Sequence, residues 1–147
     1  MLELVIERFA TCRSALHGRL WVDGQHVCDT LEYEPRALQP GSYTVSLQHV
    51  ESEGRKMMVV SDKPYLFPWE VAEKPPMFRV SNGPFTLRGG DISVGECHHL
   101  GYILHCAEIL DTLFLRVRMS ISRGGEVRLL IRGEPKRYGG GGNSKTA

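Results

Sequence analysis

Short runs of alternating apolar and polar residues, separated by turn signals, constrain the fold of this chain more than any other feature. Such alternating runs occupy residues 2–9 and 42–47. Residues 20–28 are two short apolar runs around Asp23-Gly24, which indicates a tight hairpin, and the wholly apolar residues 57–60 are a candidate buried strand. Further strands are predicted at residues 85–88, 102–105 and 126–131. Residues 113–122 fit an amphipathic helix or an alternating strand. The pattern predicts an α+β fold, a β-rich curled sheet or barrel-like sandwich with one short helix.

The chain of 147 residues is long enough for one domain with a sizeable core. We expect residues 1–132 to form a single β-rich domain. Residues 133–147 contain Pro135 and four consecutive glycines, and we expect them to form a flexible, basic, glycine-rich tail outside the core.

Charge is distributed unevenly along the chain. From Arg116 onward there are eight basic residues and two acidic ones. This excess indicates an acidic partner, such as another protein subunit of an assembly, or simply a solvated charged face. Stacking aromatic residues are not interleaved with the basic ones, which argues against nucleic acid as the partner.

No apolar run is long enough to cross a bilayer, so no membrane partner is expected. The N-terminus has acidic residues where a signal peptide would have basic ones. We therefore expect a cytoplasmic or virion protein. The four cysteines include no C-x-x-C pair and are expected to be free thiols.

Residues 61–85 are rich in proline and are predicted to be irregular. Four aromatic residues lie among these prolines: Tyr65, Phe67, Trp69 and Phe78. An apolar loop of this kind must pack on something, so it is either part of the core or a lid over a cleft.

Three N-terminal segments stand in this order: Gly18-Arg19-Leu20-Trp21-Val22-Asp23-Gly24, Cys28-Asp29-Thr30-Leu31-Glu32 and Pro40-Gly41-Ser42-Tyr43-Thr44-Val45. With Arg36 and the stretch Glu126-Val127-Arg128-Leu129-Leu130-Ile131, they resemble a small family of uncharacterised domains known from Bacteroidetes genomes and their phages. The resemblance covers most of residues 1–132 and is weakest between residues 50 and 85.

The middle motif of that family is similar to the active site of L,D-transpeptidases, which crosslink peptidoglycan through a cysteine nucleophile. The matching stretch here is Leu87-Arg88-Gly89-Gly90-Asp91, followed by a loop and Gly101-Tyr102-Ile103-Leu104. In this alignment Arg88 replaces the histidine, Asp91 the asparagine and Tyr102 the cysteine. Arginine cannot act as a base, and tyrosine is a poor substitute nucleophile.

The resemblance therefore implies a non-catalytic binding or assembly module, such as a structural component of a phage particle or related bacterial machine. Arg88, Asp91 and Tyr102 would be its binding residues, with Arg88 facing Tyr102. Arg88-Gly89-Gly90-Asp91 is also typical of a turn, and its guanidinium and amides suit an anion.

The alternative is an enzyme, a cysteine transpeptidase or amidase acting on peptidoglycan. Cys97 would be the nucleophile, with His98 or His99 as its base. A Cys97 sulfur within about 4 Å of a histidine nitrogen at a cleft would favour this alternative and would contradict the arrangement expected for the binding module.

Cys97, His99, His105 and Cys106 are also the ligand types that zinc prefers, but their spacing matches no familiar zinc motif. We therefore expect no metal and no other cofactor.

Overall fold

A computed structural model describes residues 1–61 and 75–139 of the chain. The strands and the helix occur in the following order: β1 (Leu2–Cys12), β2 (Ala15–Val22), β3 (Gln25–Tyr33), β4 (Gly41–Val50), β5 (Arg55–Ser61), β6 (Ile92–His99), β7 (Tyr102–Leu104), α1 (Cys106–Ser122), β8 (Val127–Arg132) and β9 (Lys136–Tyr138). Short 3-10 turns lie at Glu34–Arg36, Glu51–Glu53 and Pro84–Thr86.

The nine strands of the described residues belong to one curled sheet that forms a half-barrel. The strand order is β5-β4-β8-β1-β2-β3-β6-β7, with β9 beside β1. Strands β8 and β9 run parallel to β1, and the other neighbouring strands are antiparallel. The predicted β-rich α+β fold is therefore confirmed.

The main core lies between the sheet and helix α1. Leu110, Leu113 and Val117 of the helix are buried there, at the three- and four-residue spacing of one helical face. The sheet contributes alternate residues such as Leu4 and Ile6. The ambiguous stretch is therefore a helix, because that spacing buries one apolar face against the sheet.

The hairpin predicted at Asp23-Gly24 is confirmed, and both residues have the positive φ that its tight turn requires. The strands predicted at residues 2–9, 42–47, 57–60 and 126–131 are also present. The residues predicted as a strand at 85–88 instead begin with a 3-10 turn at Pro84–Thr86. Pro84 occupies the first position of this turn, where its missing N–H costs nothing.

The loop expected between residues 88 and 102 contains strand β6. Ile92 and Val94 are buried in the main core, and Ser93 is also fully buried. A strand whose first four residues are buried thus replaces the polar loop that the family alignment suggested.

Residues 136–138 form β9 beside Ala10–Cys12 of β1, in the segment that the sequence analysis assigned to a flexible tail. All three side chains of β9 are exposed, so the strand adds backbone pairing but no core. Gly133 lies in the short break between β8 and β9, which pair in parallel with successive segments of β1. It has φ +108, and a Cβ there would lie 2.4 Å from the Arg8 carbonyl oxygen.

Phe78 is 1% exposed and packs in the main core, which confirms the core interpretation for this aromatic residue. Tyr65, Phe67 and Trp69, and with them the lid hypothesis, lie outside the described residues. The part of the chain that the structure describes has no helix with the length and apolarity needed to cross a membrane.

Candidate functional site

Strand β6 brings a cysteine to a histidine far away in sequence. β6 pairs with β3 from Ile92 to Gly95 and beyond that point pairs with β7. Gly95 permits the close approach of the two strands, since a Cβ there would lie 2.6 Å from the Leu104 carbonyl oxygen. Past Gly95, the Sγ atom of Cys97 lies 3.5 Å from Nδ1 of His17 on β2.

The second nitrogen of the imidazole determines where its proton lies. The backbone N–H of Gly101 donates a hydrogen bond to Nε2 of His17 at 2.8 Å. Because a backbone N–H can only donate, Nε2 must be unprotonated, and the proton of the neutral ring is on Nδ1. Nδ1–H therefore donates to the Cys97 sulfur and cannot accept the thiol proton.

Burial favours the neutral forms of both groups. His17 is fully buried, and this burial lowers its pKa, partly opposed by the nearby Asp29 carboxylate. Burial also raises the pKa of the Cys97 thiol; Asp29 raises it further, and Arg19 lowers it. The Cys97 S–H has an acceptor of its own in the carbonyl oxygen of His99 at 3.6 Å. A neutral thiol thus has both a donor and an acceptor.

Acyl transfer also needs N–H groups that are free to stabilise an oxyanion, and the N–H of the nucleophile itself often serves. Here the backbone N–H of Cys97 donates to Oδ2 of Asp29 at 2.8 Å. Cys97 and His17 have the separation of a catalytic dyad. However, the imidazole proton lies on the nitrogen that faces the sulfur, burial favours the neutral thiol, and the Cys97 N–H is already bonded to Asp29.

The histidines predicted as partners of Cys97 face elsewhere. Nε2 of His98 lies 3.2 Å from a carboxylate oxygen of Glu96, and that same oxygen lies 3.7 Å from His105. The side chain of His99 stacks on Tyr102, with 6.0 Å between ring centroids. His99 therefore contributes only its carbonyl oxygen to the thiol.

His105 ends the β7 segment in a left-handed conformation, and Cys106 begins α1 as a buried residue. The four residues considered as zinc ligands are thus divided among a strand, a turn and a helix. Within residues 1–61 and 75–139, no group of three histidine, cysteine or acidic side chains could hold a metal ion.

Asp91 lies at the centre of a second cluster. Its carboxylate is buried and accepts the backbone N–H groups of Arg88 at 2.9 Å and Met77 at 3.2 Å. Burial raises its pKa, opposed by these two N–H donors and by the guanidinium groups of Arg79 and Arg88. The Asp91 N–H returns a bond to the Arg88 carbonyl, which confirms the predicted turn.

Arg88 is only partly engaged in this cluster. Its guanidinium lies 3.5 Å from Glu53 and 3.7 Å from Asp91, and one third of its side chain is exposed. Tyr102 is 39% exposed and contacts His99. Among the described contacts, Arg88 and Tyr102 thus have different partners, and the expected arrangement of Arg88 facing Tyr102 is not seen.

His17 is the site residue that sequence reasoning missed. It stands eighty positions before Cys97 and outside the motif that resembles the transpeptidase active site. Residue 17 lies outside every strand predicted from the sequence, and the structure places it on β2. Comparisons of the chain with family models, with curated proteins and with solved structures find no match in any of the three.

Proposed function

We propose that this chain is a non-catalytic binding or assembly module built on a transpeptidase-like scaffold. Its setting would be a phage particle or a related bacterial machine, as the resemblance in the N-terminal segments implies. A fold can be retained for binding after its chemistry is lost, because binding needs the scaffold and loops but no nucleophile.

The observation that carries the proposal is the hydrogen bond from Gly101 to Nε2 of His17. It fixes the imidazole proton on the side of Cys97, so the imidazole that contacts the Cys97 sulfur cannot remove the thiol proton. The raised pKa of the Cys97 thiol and the hydrogen bond from the Cys97 N–H to Asp29 also argue against a catalytic cysteine.

Thiol reactivity tests this proposal directly. The folded protein is treated with limiting iodoacetamide across a range of pH, and alkylation of each cysteine is quantified by peptide mass spectrometry. We expect Cys97 to react slowly at neutral pH, with a rate that is still rising with pH beyond 9, the reference thiol value, because burial raises the pKa of this thiol. Rapid alkylation of Cys97 at neutral pH would contradict the proposal, since it requires a thiolate there.

The alternative function is a cysteine transpeptidase or amidase acting on peptidoglycan. It is favoured by one observation, the separation of 3.5 Å between the Cys97 sulfur and His17. For this chemistry the Gly101 bond would have to break and the ring would have to change tautomer. Purified peptidoglycan incubated with the wild type and with Cys97→Ser provides the test. Cysteine-dependent new crosslinks or released fragments would establish the enzyme.

The basic C-terminal part is the proposed contact with other subunits. Lys136 and Arg137 are exposed on β9, which within the described residues pairs with β1 alone. The free backbone edge of such a strand can extend a neighbouring sheet, and its cations suit an acidic surface.

A further inference from the structure

A cavity of about 350 Å³ opens at the end of β3, separate from the Cys97–His17 pair. It is lined by Tyr33, Arg36, Phe85, Leu87, Arg88 and Gly89. The two sides come from different loops, and the Gly90 N–H joins them by donating to the Arg36 carbonyl at 2.9 Å. This volume lies near the lower end of the range for small-ligand sites, roughly 300–1,000 Å³.

Two aromatic rings form the apolar wall. Phe85 is 79% exposed at the tip of the Pro84–Thr86 turn, and Tyr33 lies 6.3 Å away at an angle of 57°. Leu87 is buried beneath them. Tilted rings over an aliphatic floor leave room for one apolar side chain, whose burial would cover the exposed phenylalanine.

Two arginines form the polar wall. The Arg36 side chain is exposed and makes no ion pair or hydrogen bond with the described residues. Arg88 donates from Nη2 to Glu53 at 3.5 Å and its Nε lies 3.7 Å from Asp91, while its Nη1 has no partner among the described residues. A planar guanidinium pairs best with a carboxylate, to which it can donate two parallel hydrogen bonds.

We propose that this cavity binds a carboxylate next to an apolar side chain, the chemistry of a peptide carboxy-terminus that ends in an apolar residue. The inference rests on the proposed binding function and specifies its ligand class. The carboxylate would lie between Arg36 and Arg88, and the terminal side chain would lie against Phe85 and Tyr33. The acidic groups behind Arg88 partly offset its charge, which suits a singly charged ligand better than phosphate.

The test is a titration followed by backbone amide chemical shifts, with a tripeptide ending in phenylalanine. Its C-terminal amide, N-acetylphenylalanine, acetate and inorganic phosphate are titrated in parallel. We expect the tripeptide and N-acetylphenylalanine to shift the Arg36 and Gly89 amides, with dissociation constants on the order of 1 mM for ligands of this size. The amide, acetate and phosphate are each expected to bind at least about tenfold more weakly, because each lacks one half of the recognition.

Two variants test separately the carboxylate-binding arginine and the apolar wall of the cavity. Arg36→Gln should weaken tripeptide binding about tenfold by removing a charged donor. Phe85→Ser should weaken it to a similar extent by removing the apolar wall. Arg118→Gln and Leu115→Ser, at exposed positions on α1, are matched controls that should bind as the wild type does. Thermal unfolding of all four variants should be close to wild type, since each position is exposed.

Equal binding of the tripeptide and its amide, or equal binding of phosphate, would overturn the assignment of a carboxylate. Binding by N-acetylphenylalanine that exceeds binding by the tripeptide would assign the cavity to small aromatic acids, and the peptide terminus would be wrong. Unchanged affinity in Arg36→Gln would overturn the site itself. If the tripeptide does not bind and iodoacetamide alkylates Cys97 slowly at neutral pH, only the ligand class is overturned. Rapid alkylation of Cys97 at neutral pH would overturn the proposed function itself.

Discussion

The backbone N–H of Gly101 donates to Nε2 of His17 at 2.8 Å, on the side of the ring opposite Cys97. A catalytic cysteine needs a histidine nitrogen that can take its proton. Gly101 takes up the only lone pair of the neutral ring, and the nitrogen facing the sulfur carries the proton. The distance between the Cys97 sulfur and His17 is therefore that of a catalytic dyad, but the hydrogen bonds of the imidazole prevent it from taking the thiol proton.

The tautomer of His17 can be observed directly. Long-range proton–nitrogen correlation spectra distinguish the two nitrogens of a neutral imidazole. We expect His17 to show a protonated Nδ1 and an unprotonated Nε2 at neutral pH, because Nε2 accepts the Gly101 N–H. The exposed His98 provides the comparison within the same spectrum. A protonated Nε2 at His17 would restore a base to Cys97 and would contradict the structure.

His17 should also make the protein less stable in acid. Burial lowers its folded-state pKa below the reference value of 6.5. The unfolded chain therefore binds a proton before the folded one, and stability present above pH 6.5 is lost as the pH falls through the folded pKa. The loss has a slope of at most about 1.4 kcal/mol per pH unit for one group.

The measurement is urea unfolding of the wild type and His17→Gln at several pH values below 6.5. Glutamine does not titrate, so the difference between the two proteins isolates the histidine. The raised pKa values of Asp91 and Glu32 act in the opposite direction, but both groups are present in both proteins. A difference in free energy of unfolding that stays constant with pH would show that His17 does not titrate differently in the two states.

The strands and the hairpin were predictable because their signals are local. Alternation indicates β1 and β4, Asp23-Gly24 indicates the hairpin of β2 and β3, and the wholly apolar residues 57–60 indicate β5. Strand β6 carried the same signal at Ile92 and Val94, but the alignment with a polar loop obscured it. The helix was undecided because its sequence satisfies two periodicities, and only the buried Leu110, Leu113 and Val117 resolve them.

The site was less predictable, because long-range contacts assemble it. Cys97, Arg88 and Asp91 were identified from their neighbours in sequence. The approach of His17 depends on the departure of β6 from β3 at Gly95, and the fixed proton depends on a backbone group of Gly101. Neither effect leaves a trace in residue spacing.

A buried ion pair joins β1 to β3 and should be the most sensitive point of the core. Arg8 donates to both carboxylate oxygens of Glu32 at 2.7 and 3.0 Å and to the Leu38 carbonyl at 2.7 Å. Burial raises the pKa of Glu32, and Arg8 opposes the rise. We expect Arg8→Met to cost roughly 3–5 kcal/mol, because it leaves a buried carboxylate without its partner.

The double variant Arg8→Met with Glu32→Leu is the control for that change. Replacing both charges with apolar groups should restore stability to within about 1–2 kcal/mol of the wild type. The deficit of the single variant should also shrink in acid, where Glu32 becomes neutral. Denaturant unfolding gives all three values, and a double variant less stable than Arg8→Met would show that the apolar pair cannot pack there.

Gly95 should be intolerant of a side chain. The Cβ of Gly95→Ala would lie 2.6 Å from the Leu104 carbonyl and 3.2 Å from the Cys106 sulfur, so β6 and β7 must separate. We expect a loss of about 1–3 kcal/mol, together with a shift of the His17 ring signals as Cys97 moves. Gly83→Ala is the matched control, since it has open space within 4 Å and a φ of −128°. Equal stability of the two variants would show that β6 and β7 do not approach as closely as described.

Truncation after Arg132 tests whether the C-terminal segment serves the domain or a partner. The side chains of β9 are exposed, and Arg137 makes an exposed ion pair of 3.7 Å with Glu34, so removal should cost only about 1 kcal/mol. Any assembly should weaken much more, with a difference that shrinks as salt rises and screens the basic residues.

Thermal unfolding and sedimentation at low and high salt provide the two measurements. The double variant Lys136→Glu with Arg137→Glu, made in the full-length chain, keeps β9 and reverses its charge. It should weaken assembly as the truncation does, without changing the stability of the monomer. A large drop in monomer stability on truncation would instead make β9 an integral strand of the domain, and the inference of a partner-binding segment would fall with it.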